Sequence, residues 1–482
     1  MAMKKAVTIL IIAIIFAVTA VFVVSRKSHP IASTENSQNF SNFYKLLDQK
    51  ILAYDVDGIL KKHDELFLKI ANKQISSTEA NKKIQQLTTE LKSVSLNSPK
   101  NLESWKHKKL IPTNGKTYFG NWHLRSFLLS KESLGADPAF AQMADQSKKV
   151  LISYIDVPIQ NPNGNLQNMD EPILWNKKVG ILPPPTLMIK AQLRRGAVPA
   201  IQLHLFDSNV EGWMKEQGAK IDKSKQLDVT DVINGKADDY LKKQIKILNE
   251  IDYPIVLLFI NEFNLDAGKF FGSSGKELFF NASDLYGQYG DPKIPDGPER
   301  TKDSWIRLKK IMDEAGASSH ISLASHAGGG HQNKAFPNPS SNANWNHMQY
   351  YWPGDGVMDY IGMSAYGYIL NKNKDEMSLY GSAYYWWQEI KNSDWKNTPT
   401  FFNEFAPIVS VNEAPDKSIF NADYMSKYIQ LAFGEVVPND YPVSFVLFIT
   451  PSNVPVESGK LKDALTKAVV DNPFYANTVK LK

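Results

Sequence analysis

Apolar positions change their rhythm three times along the chain. From Ala6 to Val24 only Thr8 and Thr19 interrupt an apolar run, which as a helix would span about 28 Å, enough to cross a bilayer. Ser28 to Ser41 is rich in Ser, Asn and Thr and reads as a polar tether. Phe43 to Val94 then carries helical spacing, with Leu46, Leu47, Ile51, Ile59 and Leu60 at intervals that share a face. This predicts a helical hairpin that turns near Ile75-Ser76-Ser77-Thr78-Glu79, where a Ser or Thr cap precedes a helix with apolar Ile84, Leu87 and Leu91. Nothing in it points to chemistry, so it is expected to be a spacer or a buttress.

From Thr117 onward, short apolar or β-rich runs alternate with longer, often helical stretches, the pattern of repeated βα units. Eight such runs are Thr117 to His123, Val150 to Val157, Val198 to Phe206, Ile255 to Phe263, His320 to Ala327, Met358 to Tyr366, Thr400 to Phe405 and Val443 to Thr450. Between the fourth and fifth, Trp305, Leu308, Ile311 and Met312 share a helical face, and Leu461 to Val470 is similarly amphipathic. The expectation is an α/β chain: a (β/α)8 TIM barrel over 115–482, preceded by a membrane helix within 1–27 and a tether and helical spacer over 28–114. In such barrels the site gathers at the C-terminal ends of the strands.

Charge sharpens the picture at the N-terminus and excludes one class of partner. Lys4, Lys5, Arg26 and Lys27 supply four of the five net positive charges, and no acid lies among the first 27 residues. The rest is nearly neutral, without the basic surface that nucleic acid requires. The flanking cations slightly favour an N-terminus held inside. The expected product is a single-pass membrane protein with its barrel outside the cytoplasm. Val18-Thr19-Ala20 offers small residues for signal cleavage, in which case the protein would be secreted, but the apolar run continues to Val24. The absence of cysteine removes disulfides, thiolate metal sites and cysteine nucleophiles.

The strand ends are polar. The fourth run closes on Asn261-Glu262-Phe263 and the seventh on Asn403-Glu404-Phe405. One carboxylate at each of two strand ends suits glycosidic bond cleavage, in which one acid protonates the leaving oxygen and the other attacks the anomeric carbon or activates water. Asn403 is expected to be structural, because strand alternation turns it away from Glu404. Aromatic residues crowd the stretch from Trp345 to Trp387, and Trp345, Tyr351 and Trp352 are candidates for stacking on sugar rings. Gly328-Gly329-Gly330 suits a mobile loop that lets backbone approach ligand.

In these residues the sequence resembles clan A of the glycoside hydrolases, whose barrels carry the acid/base glutamate after strand four and the nucleophile after strand seven. Glu262 and Glu404 match those positions. The stretch Tyr351-Trp352-Pro353-Gly354-Asp355-Gly356-Val357-Met358-Asp359-Tyr360-Ile361-Gly362 is similar to a motif of family 26, the mannanase and lichenase family. The resemblance further implies that Tyr366 hydrogen-bonds the nucleophile, that His204 lines the catalytic subsite, that Asn261 meets a sugar 2-hydroxyl, and that Asn264, Phe270 and Phe271 bind substrate. Leu258, Asn261 and Leu265 depart from the family's arginine, histidine and glycine, and the eighth run lacks the tryptophan many relatives place under the sugar.

The resemblance implies a retaining endo-β-glycanase without metal or organic cofactor. Its substrate would be mannan, mixed-linkage glucan or a cell-surface or matrix exopolysaccharide. Protein partners are not indicated. Two alternatives stand beside it. One is a non-catalytic glycan-binding protein on a degenerate barrel. The other is a metal-dependent hydrolase using His123, His204 and His326 with Asp156 and Asp207, although no compact metal-binding motif occurs.

Overall fold

The computed structural model describes residues 34–71, 74–99, 102–122, 150–156, 165–176, 180–203, 225, 227–264, 286–328, 347–366, 382–406, 421–448 and 458–482. The expected membrane segment lies outside them. No helix among the described residues is long and apolar enough to cross a membrane.

Eight parallel strands close into a barrel: β1 (Tyr118–Trp122), β2 (Val150–Asp156), β5 (Val198–Leu203), β6 (Ile255–Asn261), β7 (Ile321–Ala327), β8 (Tyr360–Tyr366), β9 (Thr400–Ala406) and β10 (Phe445–Phe448). They follow one another in chain order, and β10 returns to pair with β1. Seven of the eight lie within the run that predicts them, and β9 extends one residue beyond its run, to Ala406. The short antiparallel pair β3 (Ile173–Asn176) and β4 (Gly180–Leu182) is an addition the pattern does not reveal.

Barrel strands are covered by side chains inside and helices outside, so both faces are apolar and the runs read as nearly continuous. Val256 and Leu258 point inward with Val198, Ala200, Ala324, Tyr360, Phe401 and Phe445. Ile255, Leu257 and Phe259 point outward to the surrounding helices. Gly362 sits where space is tight, because a Cβ there would lie 2.5 Å from the Phe401 ring, which is itself stacked on Phe445 at 4.3 Å. The barrel floor is closed by the segment before β1 and the C-terminus, which pair at Leu110 and Leu481. Tyr118 and Tyr360 donate from the barrel to the carbonyls of Ile111 and Leu110.

The N-terminal region is three helices rather than a hairpin: α1 (Thr34–Lys50), α2 (Asp57–Ala71) and α3 (Ser77–Lys92). The expected tether from Ser28 to Ser41 is therefore helical from Thr34 onward. Low intrinsic propensity for helix in Ser, Asn and Thr is outweighed by packing of Phe40, Phe43, Tyr44 and Leu47 into the core. The turn near Ser76 is as expected, with the Ser76 hydroxyl capping α3 at the Glu79 amide and Ile84, Leu87 and Leu91 buried.

The trio acts as a buttress. It shares one apolar core with the barrel's outer layer. Lys190 and Arg194 of α4 (Pro185–Arg194) bind Asp48 and Asp57 at 2.7 and 2.6 Å, and Arg194 Nη1–H donates to the Ile51 carbonyl at 3.1 Å. Helices α5 (Asp238–Asn249), α6 (Asp296–Glu314), α7 (Ser382–Lys391), α8 (Ala422–Leu431) and α9 (Ser458–Leu465) cover the remaining outer wall. Trp305, Leu308, Ile311 and Met312 form the buried face of α6, as the spacing predicts.

Gly362→Ala should lower the unfolding free energy by about 1–3 kcal/mol, the cost of overpacking a rigid core. Denaturant titration of the variant against the parent measures it.

Candidate active site

The site grows from two irregularities at the C-terminal ends of opposing strands. On β6, Leu258 pairs with Ala324 and Asn261 with His326, so one more residue is spent on β6 than on β7. Ile260 and Glu262 both adopt left-handed backbone, with φ of 61° and 48°, unusual for residues with side chains and strained for β-branched Ile260. Neighbouring side chains hold the bulge. Trp305 Nε1–H donates to the Phe259 carbonyl at 3.2 Å and the Ser325 hydroxyl to the Ile260 carbonyl at 2.6 Å. Phe263 then packs edge-on against Trp305 at 5.0 Å. The kinked strand end leaves Glu262 half-buried at the barrel mouth.

On β9 the register with β8 shifts between Met363 and Ser364, so that Met363 pairs with Phe402 and Ser364 with Glu404. Phe402 and Phe405 both pack outward. The two residues between them, Asn403 and Glu404, thus lie together on the inner side of a bulge. Asn403 is fully buried, and its amide lies 3.4 Å from His326 Nε2. His326 Nε2 is 3.8 Å from Glu404 Oε1. The alternation argument that turned Asn403 away from the site is therefore wrong, and the bulge is the reason.

Glu262, His326 and Glu404 each offer an atom within 4.8 Å of the others. Burial pushes the Glu262 carboxyl above its ordinary range, because its charged form loses water, and the facing Ser364 hydroxyl opposes part of that rise. Ser364 is itself fully buried, beside Glu404 in the strand register. Two carboxylates at this range, one favoured in its protonated form, can donate a proton to one atom and attack another close by. The same three side chains also form a compact group that could share a divalent cation.

The other expected site residues divide into three groups. His204, Trp345, Phe270 and Phe271 lie outside the described residues, as do His123 and Asp207. Asn261 and Tyr366 end β6 and β8, and their side chains lie outside what is described. Asn264 is buried and accepts from the Gly328 amide at 2.8 Å, tying the segment after β6 to the end of β7.

Tyr351 requires correction. It is 1% exposed, with its ring 4.7 Å from that of Phe263, so it backs the β6 kink from within the core instead of facing a sugar. Trp352 is partly buried against the same core. Their segment is pinned by Glu389 of α7, which meets His347 at 3.1 Å and accepts from the Met348 amide. Ser364 and Asn403 were not expected at the site, and His326 was considered only for metal. The available signal was polar residues at inward-facing strand ends.

No protein-family model matches the chain, and no curated protein matches it. Solved structures do. The resemblance is to glycoside hydrolases of family 26. A Cellulomonas fimi endo-beta-1,4-mannanase double mutant is 17% identical, with 77% of this chain and 73% of that chain covered and a TM-score of 0.43. GH26C from Muricauda sp. MAR_2010_75 is 13% identical over 79% and 92%, TM-score 0.43. Bacillus subtilis mannanase man26 is 14% identical over 74% and 86%, TM-score 0.39. At such scores these are likenesses only, and the chemistry is read from the side chains.

The raised Glu262 carboxyl has a signed consequence for stability. The folded state holds its proton more tightly than the unfolded chain, so this contribution is fully present below the unfolded value of about 4.3 and is lost as pH rises through the folded value. Stability of Glu262→Gln should therefore decline less than that of the parent across that interval, as measured by denaturant titration at successive pH values.

Proposed function

We propose that the protein is a membrane-anchored, extracytoplasmic retaining endo-β-glycanase with Glu262 as acid/base and Glu404 as nucleophile. The observation that carries this reading is the approach of Glu262 and Glu404 within 4.8 Å at the ends of strands four and seven, with Glu262 held towards its protonated form. Retention uses carboxyl groups about 5–5.5 Å apart, whereas inversion needs about 6.5–9.5 Å to admit water. Glu262 protonates the leaving oxygen as a Glu404 oxygen attacks the anomeric carbon and forms a glycosyl ester. Glu262 then takes a proton from water, which attacks the same carbon and frees Glu404. Asn261 is suited to bind the sugar 2-hydroxyl and Tyr366 to orient Glu404, the roles the family resemblance implies.

His326 and Asn403 belong to the nucleophile's surroundings. A nucleophile displaced by about 1 Å can lose about 10²-fold in rate. His326→Ala should accordingly lower kcat by about 10- to 100-fold with little change in KM, and Asn403→Ala should act in the same direction. Steady-state kinetics on one polymer separates the two constants.

The deciding assay takes the soluble chain from about residue 30 and measures new reducing ends from β-mannan, mixed-linkage glucan, xylan and exopolysaccharide. Glu262→Gln should lower turnover by about 10²–10⁴-fold, and Glu404→Gln should reduce it to background. The anomer first released, followed by NMR, should match that of the substrate. Binding without cleavage would support the glycan-binding alternative. The Glu262, His326 and Glu404 group also favours a test of the metal reading, and activity abolished by a chelator and restored by a divalent ion would replace the carboxylate mechanism.

A further inference from the structure

We propose that Glu262, His326 and Glu404 form a Zn²⁺ site, and that an ion held there closes the pocket to glycan. The inhibitory consequence rests on the roles given to the two glutamates above, whereas the site itself rests on geometry and donor chemistry. Ligand atoms of the three side chains all lie within 4.8 Å of one another, and His326 Nε2 is 3.8 Å from Glu404 Oε1. Around a tetrahedral zinc ion, nitrogen and oxygen ligands at about 2.0–2.2 Å from the metal stand about 3.3–3.6 Å from one another. The His326 and Glu404 pair is thus within about 0.5 Å of a metal-bound spacing, and no pair must close by more than about 1.5 Å. Glu262, the least buried of the three, stands at the end of a bulged strand and has the most freedom to do so.

The donor set suits zinc. His326 is fully buried on β7, and the amide nitrogen of Asn403 lies 3.4 Å from its Nε2. Donation by that amide requires a lone pair on Nε2, the form of imidazole that binds metal. A metal would take this lone pair in exchange for one long hydrogen bond. Two carboxylates balance a divalent ion, so the group becomes neutral where two bare carboxylates repel each other. Imidazole favours Zn²⁺ over Mg²⁺ and Ca²⁺, which prefer shells of oxygen.

Three protein ligands leave a fourth position for water, and two further atoms fit that water. The Ser364 hydroxyl, which faces Glu262, and Asn403 Oδ1 are fully buried and lack a hydrogen-bond partner among the described residues. Buried polar groups are rarely left so. A metal-bound water carries two O–H donors, one for each.

Zinc and catalysis exclude each other here. Zinc on Glu404 occupies the oxygen that would attack the anomeric carbon, and zinc on Glu262 keeps that carboxyl from carrying the proton for the leaving oxygen. The ion also lies between the two carboxylates, where the mechanism places the anomeric carbon. Zn²⁺ should therefore compete with polymer, raising KM and leaving kcat unchanged.

Isothermal titration of the full chain in detergent micelles with zinc sulfate tests the site without any substrate. One ion should bind tightly per chain, and magnesium chloride should not replace it. Glu404→Gln and His326→Gln should each weaken the tight event at least about 100-fold, because loss of even an outer hydrogen-bond partner of a metal ligand costs about 10–100-fold. Glu404→Gln keeps the size and shape of its side chain, so its result decides the matter should the buried His326 variant not fold. No tight event, or one that the variants leave unchanged, overturns the site and leaves the glycanase reading intact.

On a polymer that is cleaved, free Zn²⁺ at about ten times its Kd should raise KM about tenfold by mass action. Zinc that binds through these residues while KM stays fixed, or that activity requires, overturns the inhibitory role. If no polymer is cleaved, the glycanase reading fails, and the titration still decides the site.

Discussion

A regular strand sends alternate side chains to opposite faces, so adjacent Asn403 and Glu404 could not both enter a barrel built from unbroken strands. The geometry of the candidate site depends on breaking that rule twice. On β9 the bulge brings both residues inside, where Asn403 meets His326 and His326 meets Glu404. On β6 the bulge and the left-handed Glu262 bend the strand end over the barrel mouth. The remaining architecture keeps these departures in place, since Trp305 and Ser325 bind the carbonyls that the β6 bulge removes from the ladder.

Packing behind the site serves the same end. Phe263, Trp305 and Tyr351 form an aromatic wall outside β6, and Trp395 extends it at 6.3 Å from Trp305. Trp395 Nε1–H donates to the Met348 carbonyl, so the segment before β8 is fixed to the same wall. A side chain expected at a sugar is thus used to stiffen the strand that carries Glu262. The N-terminal trio has a comparable structural purpose against α4, where buried Arg194 binds its carbonyl and carboxylate partners across the interface.

The barrel was legible because strands buried on both faces must be apolar along most of their length, and eight such runs recur between Thr117 and Thr450. The helical trio was only partly legible. Its Ser76 cap is a local signal, whereas the polar first turns of α1 become helical through contacts made by Phe40 and Phe43 with distant parts of the chain. Glu262 and Glu404 could be found from their places at strand ends. His326, Asn403 and Ser364 could not be grouped with them, because that grouping depends on which strands are neighbours and where their registers slip.

The sequence by itself determined the eight barrel strands, the two acidic strand ends and an N-terminal apolar run long enough to span a bilayer. Each is written in local composition and period. Tertiary structure decided that Tyr351 belongs to the core and that Asn403 turns inward. These depend on bulges and on pairings between distant segments, and a side chain's direction is settled only when barrel closure and helix packing select one register among several compatible with the same pattern.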